Sequence, residues 1–194
     1  MKTEHTYFVL NKPKGMLSQF KDQNGLTTLN ALTYEFPEGT MPVGRLDYES
    51  EGLLLLTTDK NFYKRVLLPE NKIDKAYLVR VKNKISEEAI TNLRIGVEIA
   101  LKGKNANYQT KPCEVVSFAQ EELPAEFAET LVWPHTWLKI TISEGKNRQI
   151  RKMCSGVGYK VQRLIRVQLG TITIKDLKPG QVRVLTPKDL ITLL

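Results

Sequence analysis

Histidine and cysteine are scarce in this chain: His5, His135, Cys113 and Cys154 are all that 194 residues contain. None are grouped at metal-ligand spacing, so neither a structural nor a catalytic metal is expected. Both cysteines sit among apolar neighbours and read as reduced core residues. The same scarcity removes Ser-His-Asp and Cys-His catalysis unless His135 serves, and His135 lies in a loop-like stretch between Pro134 and Thr136. There is no glycine-rich phosphate loop of the Walker or dinucleotide kind, so no cofactor or nucleoside triphosphate is expected. No apolar run reaches the length of a membrane span, and the opening Met1-Lys2-Thr3-Glu4-His5 carries no signal-peptide core. A basic amphipathic helix suited to a lipid surface is also missing. These absences lead us to expect a cytoplasmic protein with no membrane partner, whose chemistry rests on carboxylate, tyrosine, arginine and lysine.

What is plentiful is positive charge. Lys and Arg number 29 against 21 Asp and Glu, a net charge of +8, which points to a polyanionic partner. The densest stretch runs from Lys139 to Arg166, where eight cations face a single acid, Glu144. A helix is expected from about Asn147 to Val157. It would put Arg148, Arg151 and Lys152 on one face and Ile150, Met153 and Val157 on another. Like charges at that spacing cost a few tenths of a kcal/mol per pair, a cost that an anionic partner or an internal carboxylate would offset. An apolar fraction of 41% is ordinary for a globular protein, and the length suits one domain or two closely joined lobes.

The segment Gly44 to Asp59 reads G-R-L-D-Y-E-S-E-G-L-L-L-L-T-T-D. Asp47 follows Arg45-Leu46, a small-residue turn follows at Ser50 and Gly52, and Leu53–Leu56 form a continuous apolar run. A carboxylate is thereby set on a tight loop ahead of a strand buried on both faces. A rigidly held carboxylate is what covalent catalysis requires. On those two residues alone, an aspartate near an arginine is more often a turn residue or a surface ion pair.

Strands are expected at 6–11, stopped by Lys12-Pro13-Lys14-Gly15, then at 53–56, 75–81, 112–118, 137–143, within 161–174 and at 182–185. Helices are expected at 60–68 with Asp59 as N-cap, and from Ser86 to Gly96. A short helix is possible around 28–34, and 103–110 and 121–130 read as polar connections. Strict βαβ alternation is absent, which favours an α+β fold with a mixed, mainly antiparallel sheet.

Four motifs together resemble the pseudouridine synthases, in the branch that acts on ribosomal RNA, over about residues 6 to 185. They are N-K-P-K-G at Asn11, the G-R-L-D-x-x-S-x-G-L-L core at Gly44, Lys75-Ala76-Tyr77, and E-G-K-N-R-Q-I-R-K-M at Glu144. The resemblance implies a bent sheet in two lobes with helices packed on it and a central cleft. It makes Asp47 the catalytic carboxylate, Tyr77 the ring that stacks on the target uracil, Arg151 the ion-pair partner of Asp47 and Ile150 a packing surface for the base. Arg148 is a second candidate for the ion pair. Backbone phosphates would be held by Arg45, Arg148, Lys152 and Arg163. The expected partner is ribosomal RNA, of the large subunit (23S), with no cofactor, no obligatory protein partner and a monomeric enzyme. One catalytic domain over residues 1–194 is expected, without the N-terminal S4-type RNA-binding module that many of this branch carry. Two other readings compete. A non-catalytic ribosomal-RNA-binding or assembly protein would use the basic segment without needing Asp47. A glycoside hydrolase would need a second, facing carboxylate that nothing in the Asp47 block marks.

Overall fold

In the computed structural model the described residues are 5–193, except 23, 102, 104–105, 125–126, 128–132 and 192. Along the chain they form β1 (Tyr7–Lys12), a 3₁₀ turn (Leu29–Ala31), β2 (Met41–Val43), β3 (Glu51–Thr57) and α1 (Lys60–Leu67). There follow β4 (Lys75–Lys82), α2 (Glu87–Ile95), β5 (Glu98–Ala100), β6 (Asn107–Gln109), β7 (Glu114–Phe118) and β8 (His135–Ile142). The last elements are α3 (Gln149–Gly156), β9 (Val161–Leu169), β10 (Ile172–Thr173), β11 (Val182–Val184) and α4 (Pro187–Ile191). The class is α+β with mainly antiparallel pairing, as expected. The residues fall into two compact units, one of Met1–Ile73 with Ile165–Leu194, the other of Asp74–Leu164.

In the first unit β1 runs antiparallel to β3 from Tyr7↔Thr57 to Lys12↔Gly52, with β11 on its other edge. On the far side of β3, β2 pairs with its end, and Glu51-Gly52 lie parallel to Ile165-Arg166 of β9. Leu53, Leu54, Leu55 and Leu56 are all fully buried, so this strand is covered on both faces and cannot alternate polar with apolar. Gly52 has φ +100, and a Cβ there would run into the Arg166 carbonyl, so only glycine lets the two strands approach this closely. Helix α1 starts at Asp59, whose carboxylate accepts the N–H groups of Asn61 (2.8 Å) and Phe62 (3.1 Å). The polar, turn-rich stretch after β1 is held by aromatic contacts instead of a helix. Phe36 meets Phe8 and Phe20 edge-on at centroid distances of 5.4 Å each. The helix considered around 28–34 is therefore only the 3₁₀ turn at Leu29–Ala31.

In the second unit β4 and β8 pair antiparallel over their whole length, from Lys75↔Ile142 to Lys82↔His135, and β7 lies on the other edge of β8. Val79, Val81, Leu93, Leu138, Ile140 and Met153 are completely buried and form its core. The Ser86 hydroxyl caps α2 by accepting the N–H of Ala89 (3.2 Å), and Gly96 ends the helix at φ 111. Residues 103–110, expected as loop, contain β6, which pairs with β5 as a short antiparallel ribbon. Three-residue strands are too brief to show a period of two in sequence. A final difference follows the strand expected at 182–185, where Pro187–Ile191 form α4.

Candidate active site

Asp47 stands in the connection between β2 and β3, within the first unit. Leu46 (7% exposed) and Ser50 (2% exposed) sink into the interior on either side, while Asp47 is half-buried and Arg45 is exposed. The N–H of Ser50 donates to the Asp47 carbonyl at 3.0 Å, closing a tight turn through Tyr48 and Glu49. Two inward anchors and a closed turn aim one partly exposed carboxylate.

Lys12, expected with Pro13-Lys14-Gly15 to stop the first strand, is instead the last residue of β1 and is fully buried. Its ammonium donates to the carbonyls of Pro13 and Met16, each at 2.7 Å. Burial brings its pKa down to about 8, against the opposing pull of Glu51 and Asp47. A cation is thus buried within electrostatic reach of Asp47. The only trace of it in the sequence is a lysine between an apolar strand and a proline. A second buried cation of this unit, Arg166, donates through Nε to the Leu53 carbonyl at 2.7 Å.

The remaining predicted residues belong to the second unit, Arg45 and Asp47 alone being in the first. Tyr77, on β4 opposite Ile140, is 8% exposed, more deeply set than an ordinary half-buried strand aromatic. Ile150, Arg151 and Lys152 lie in the first turn of α3, with Ile150 buried and the two cations partly exposed. Arg148 departs from the expected helix face. It precedes α3 in left-handed backbone at φ 53, because residues 146–149 close a turn. In that turn the Gln149 N–H donates to the Lys146 carbonyl (3.1 Å), and the Lys146 N–H donates to Gln149 Oε1 (2.9 Å). Arg148 is exposed there. Val157, expected on the packing face, is the half-buried C-cap. Lys152 donates to the Ala100 carbonyl at 2.6 Å, and Arg163 to the Phe127 carbonyl at 3.1 Å.

Glu144, the sole acid of the basic stretch, is a hub. It accepts from the Tyr108 hydroxyl (2.6 Å), the Lys111 N–H (3.0 Å) and the Gln149 amide (2.7 Å). Burial pushes its carboxyl up, but these three donors and the Lys146 charge outweigh burial and hold it below the usual range. The Lys146 ammonium lies 4.5 Å from the centroid of the Tyr108 ring. The loop that carries Lys146 and Arg148 is therefore tied to the β5–β6 ribbon.

Both thiols are free. Burial pushes Cys113 up to about 11 and Cys154 up to about 12, so neither is a thiolate near neutral pH. Cys113 is only half-buried, less enclosed than expected. His135 has both ring nitrogens engaged, with the Trp133 carbonyl (2.8 Å) and Gln120 Oε1 (2.6 Å). Among the described residues no helix is long and apolar enough to cross a membrane.

The described residues thus place a half-buried loop carboxylate in one unit and a basic turn and helix in the other. Comparison with known proteins gives the class: residues 6–156 match the family described as RNA pseudouridylate synthase, and the chain belongs to that family. It is an RNA pseudouridine synthase, an isomerase, and the non-catalytic reading is not favoured. Ribosomal large subunit pseudouridine synthase E of Vibrio parahaemolyticus is 37% identical over 89% of this chain and 71% of its own length. Ribosomal large subunit pseudouridine synthase B of Bacillus subtilis is 32% identical over 96% of this chain and 70% of its own. A crystal structure of a pseudouridylate synthase superposes with a TM-score of 0.76 at 28% identity, covering 98% of this chain and 74% of that one.

Proposed function

We propose that this chain isomerises a uridine of large-subunit (23S) ribosomal RNA, with Asp47 acting at the ribose of the target nucleotide. The observation that carries the chemistry is the Asp47 turn, in which buried Leu46 and Ser50 bracket a partly exposed carboxylate. The large-subunit names of the synthase E and synthase B relatives support the substrate. In the reaction the N1–C1′ bond breaks, the base turns, and a C5–C1′ bond forms; C5 gives up its proton and N1 gains one. No electron changes hands and no group is transferred, so the chemistry calls for no cofactor. Asp47 either attacks C1′ or removes the C2′ proton. Tyr77 and Ile150 hold the released uracil, and Arg151, with Arg148 as second candidate, supplies positive charge during the reaction. Arg45, Arg148, Lys152 and Arg163 contact phosphates. The target base has to leave its stack before the ribose is open to a carboxylate, so flipping precedes chemistry. The working enzyme is a cytoplasmic monomer, with both compact units forming one catalytic domain.

The test is Asp47→Asn. Turnover should vanish while RNA affinity stays near that of the wild type, and an active variant would remove Asp47 from the mechanism. Mass mapping of 23S ribosomal RNA from cells lacking the gene identifies the uridine. An unchanged modification pattern there would exclude this substrate.

A further inference from the structure

We propose that Ser18 is a positioning residue for the isomerisation, holding the backbone from which Asp47 projects. The proposal rests on Asp47 as the reacting carboxylate. The Leu46 N–H donates to Ser18 Oγ at 3.0 Å, and the same hydroxyl donates to the Leu46 carbonyl at 2.9 Å. A hydroxyl has one proton to give and lone pairs to accept with, so a single atom satisfies both polar groups of the residue immediately before Asp47. Ser18 is 2% exposed and Leu46 is 7% exposed, which leaves water little access to replace either bond. On the other side of Asp47, the Tyr48 carbonyl accepts the Gly15 N–H at 2.9 Å.

The main chain is therefore gripped one residue before and one residue after the carboxylate by the same short stretch, Gly15 to Ser18. That stretch is itself fixed from beneath, since the buried Lys12 ammonium holds the Pro13 and Met16 carbonyls. Ser18 touches no reacting atom. Its hydroxyl acts through Leu46, and without it a buried N–H and a buried carbonyl lose their partner together. The cheapest relief is a shift of the loop, which carries Asp47 with it. Displacements of about 1 Å at a reacting group cost on the order of a hundredfold in rate.

The experiment compares wild type, Ser18→Ala, Ser18→Thr, Ser18→Val and Asp47→Asn. Label release from a 23S ribosomal RNA transcript tritiated at uracil C5 is followed under single-turnover conditions, with RNA binding and thermal unfolding measured in parallel. Ser18→Ala should slow the chemical step by about 10- to 100-fold while RNA affinity changes less than about twofold. Ser18→Thr should recover most of the rate and its isostere Ser18→Val should not, a split that lost packing alone would not produce. Should Ser18→Ala unfold at the assay temperature, the Thr and Val pair carries the test. Wild-type rates in Ser18→Ala, or equal rates for Thr and Val, overturn the role of Ser18 and leave Asp47 standing if Asp47→Asn is inactive. An active Asp47→Asn overturns both.

Discussion

The Tyr108 hydroxyl donates to Glu144 Oε2 over 2.6 Å, joining the β5–β6 ribbon to the loop that opens α3. The other carboxylate oxygen, Oε1, is shared by the Lys111 N–H and the Gln149 amide, so both oxygens of Glu144 are in use. Tyr108→Phe removes one charge-assisted bond at a partly exposed position. It should lower stability by about 1 kcal/mol, read as a shift in the urea midpoint with unchanged slope. Glu144→Ala loses three bonds at once and should cost more than Tyr108→Phe; equal costs would show that the hub adds nothing beyond the tyrosine.

Gly52 and Gly145 offer a paired test of backbone constraint. At Gly52, φ is +100 and an added methyl would strike the Arg166 backbone; at Gly145 nothing lies within 4 Å and φ is ordinary. Gly52→Ala should destabilise by about 2–5 kcal/mol through strain and overpacking. Gly145→Ala should stay within about 0.5 kcal/mol of the wild type. Thermal or denaturant unfolding of the two variants side by side decides it.

Alkaline unfolding should report on Tyr7. Burial, followed by its hydrogen bond to Asp59 (2.8 Å) and that residue's charge, pushes Tyr7 up to about 12 from 10.0. A raised folded value means that the folded state keeps the proton longer. The contribution is fully present below about pH 10 and is lost as pH climbs towards about 12. Lys12 has the opposite sign: its folded value of about 8 lies below 10.5, so stability gains between those values as the unfolded chain binds more protons. Tyr7→Phe should reduce the loss above pH 10, leaving the share carried by the two raised thiols, and leave the Lys12 window untouched. Urea midpoints across pH 7 to 12 test this, and an unchanged alkaline limb in Tyr7→Phe would refute it.

Salt dependence should separate phosphate contacts from structural cations. Arg148 is exposed on a left-handed turn, whereas Arg166 is buried and donates to the Leu53 carbonyl at 2.7 Å. Arg148→Ala should weaken RNA binding and make the slope of log affinity against log salt shallower by about 0.7 for a single-stranded contact. Arg166→Ala should cost stability and change that slope less. Binding titrations at several salt concentrations distinguish the two.

Where a single local rule acts, the sequence was readable. Asp59 and Ser86 cap their helices as their types and positions suggest, and Leu53–Leu56 advertise a strand covered on both faces. The Asp47 turn was legible because small residues flank it. What escaped were features set by distant partners. Met41-Pro42-Val43 becomes a strand only through pairing with Leu55–Thr57. Glu144 looked like an isolated acid among cations because its partner Tyr108 lies 36 positions earlier. Lys12 looked like punctuation because lysines are almost never fully buried, and its buried partners are backbone carbonyls that no side-chain pattern reveals.

The parallel seam at Gly52 also has a kinetic meaning. Leu53 and Arg166 are bonded across 113 positions, and the unit holding Asp47 is assembled from both ends of the chain, whereas Asp74–Leu164 is one uninterrupted piece. A ribosome making this protein releases the uninterrupted piece before the last segment of the divided unit. Strand β3, already paired with β1 and β2, therefore gains its parallel neighbour at Ile165-Arg166 only after the uninterrupted piece has been translated.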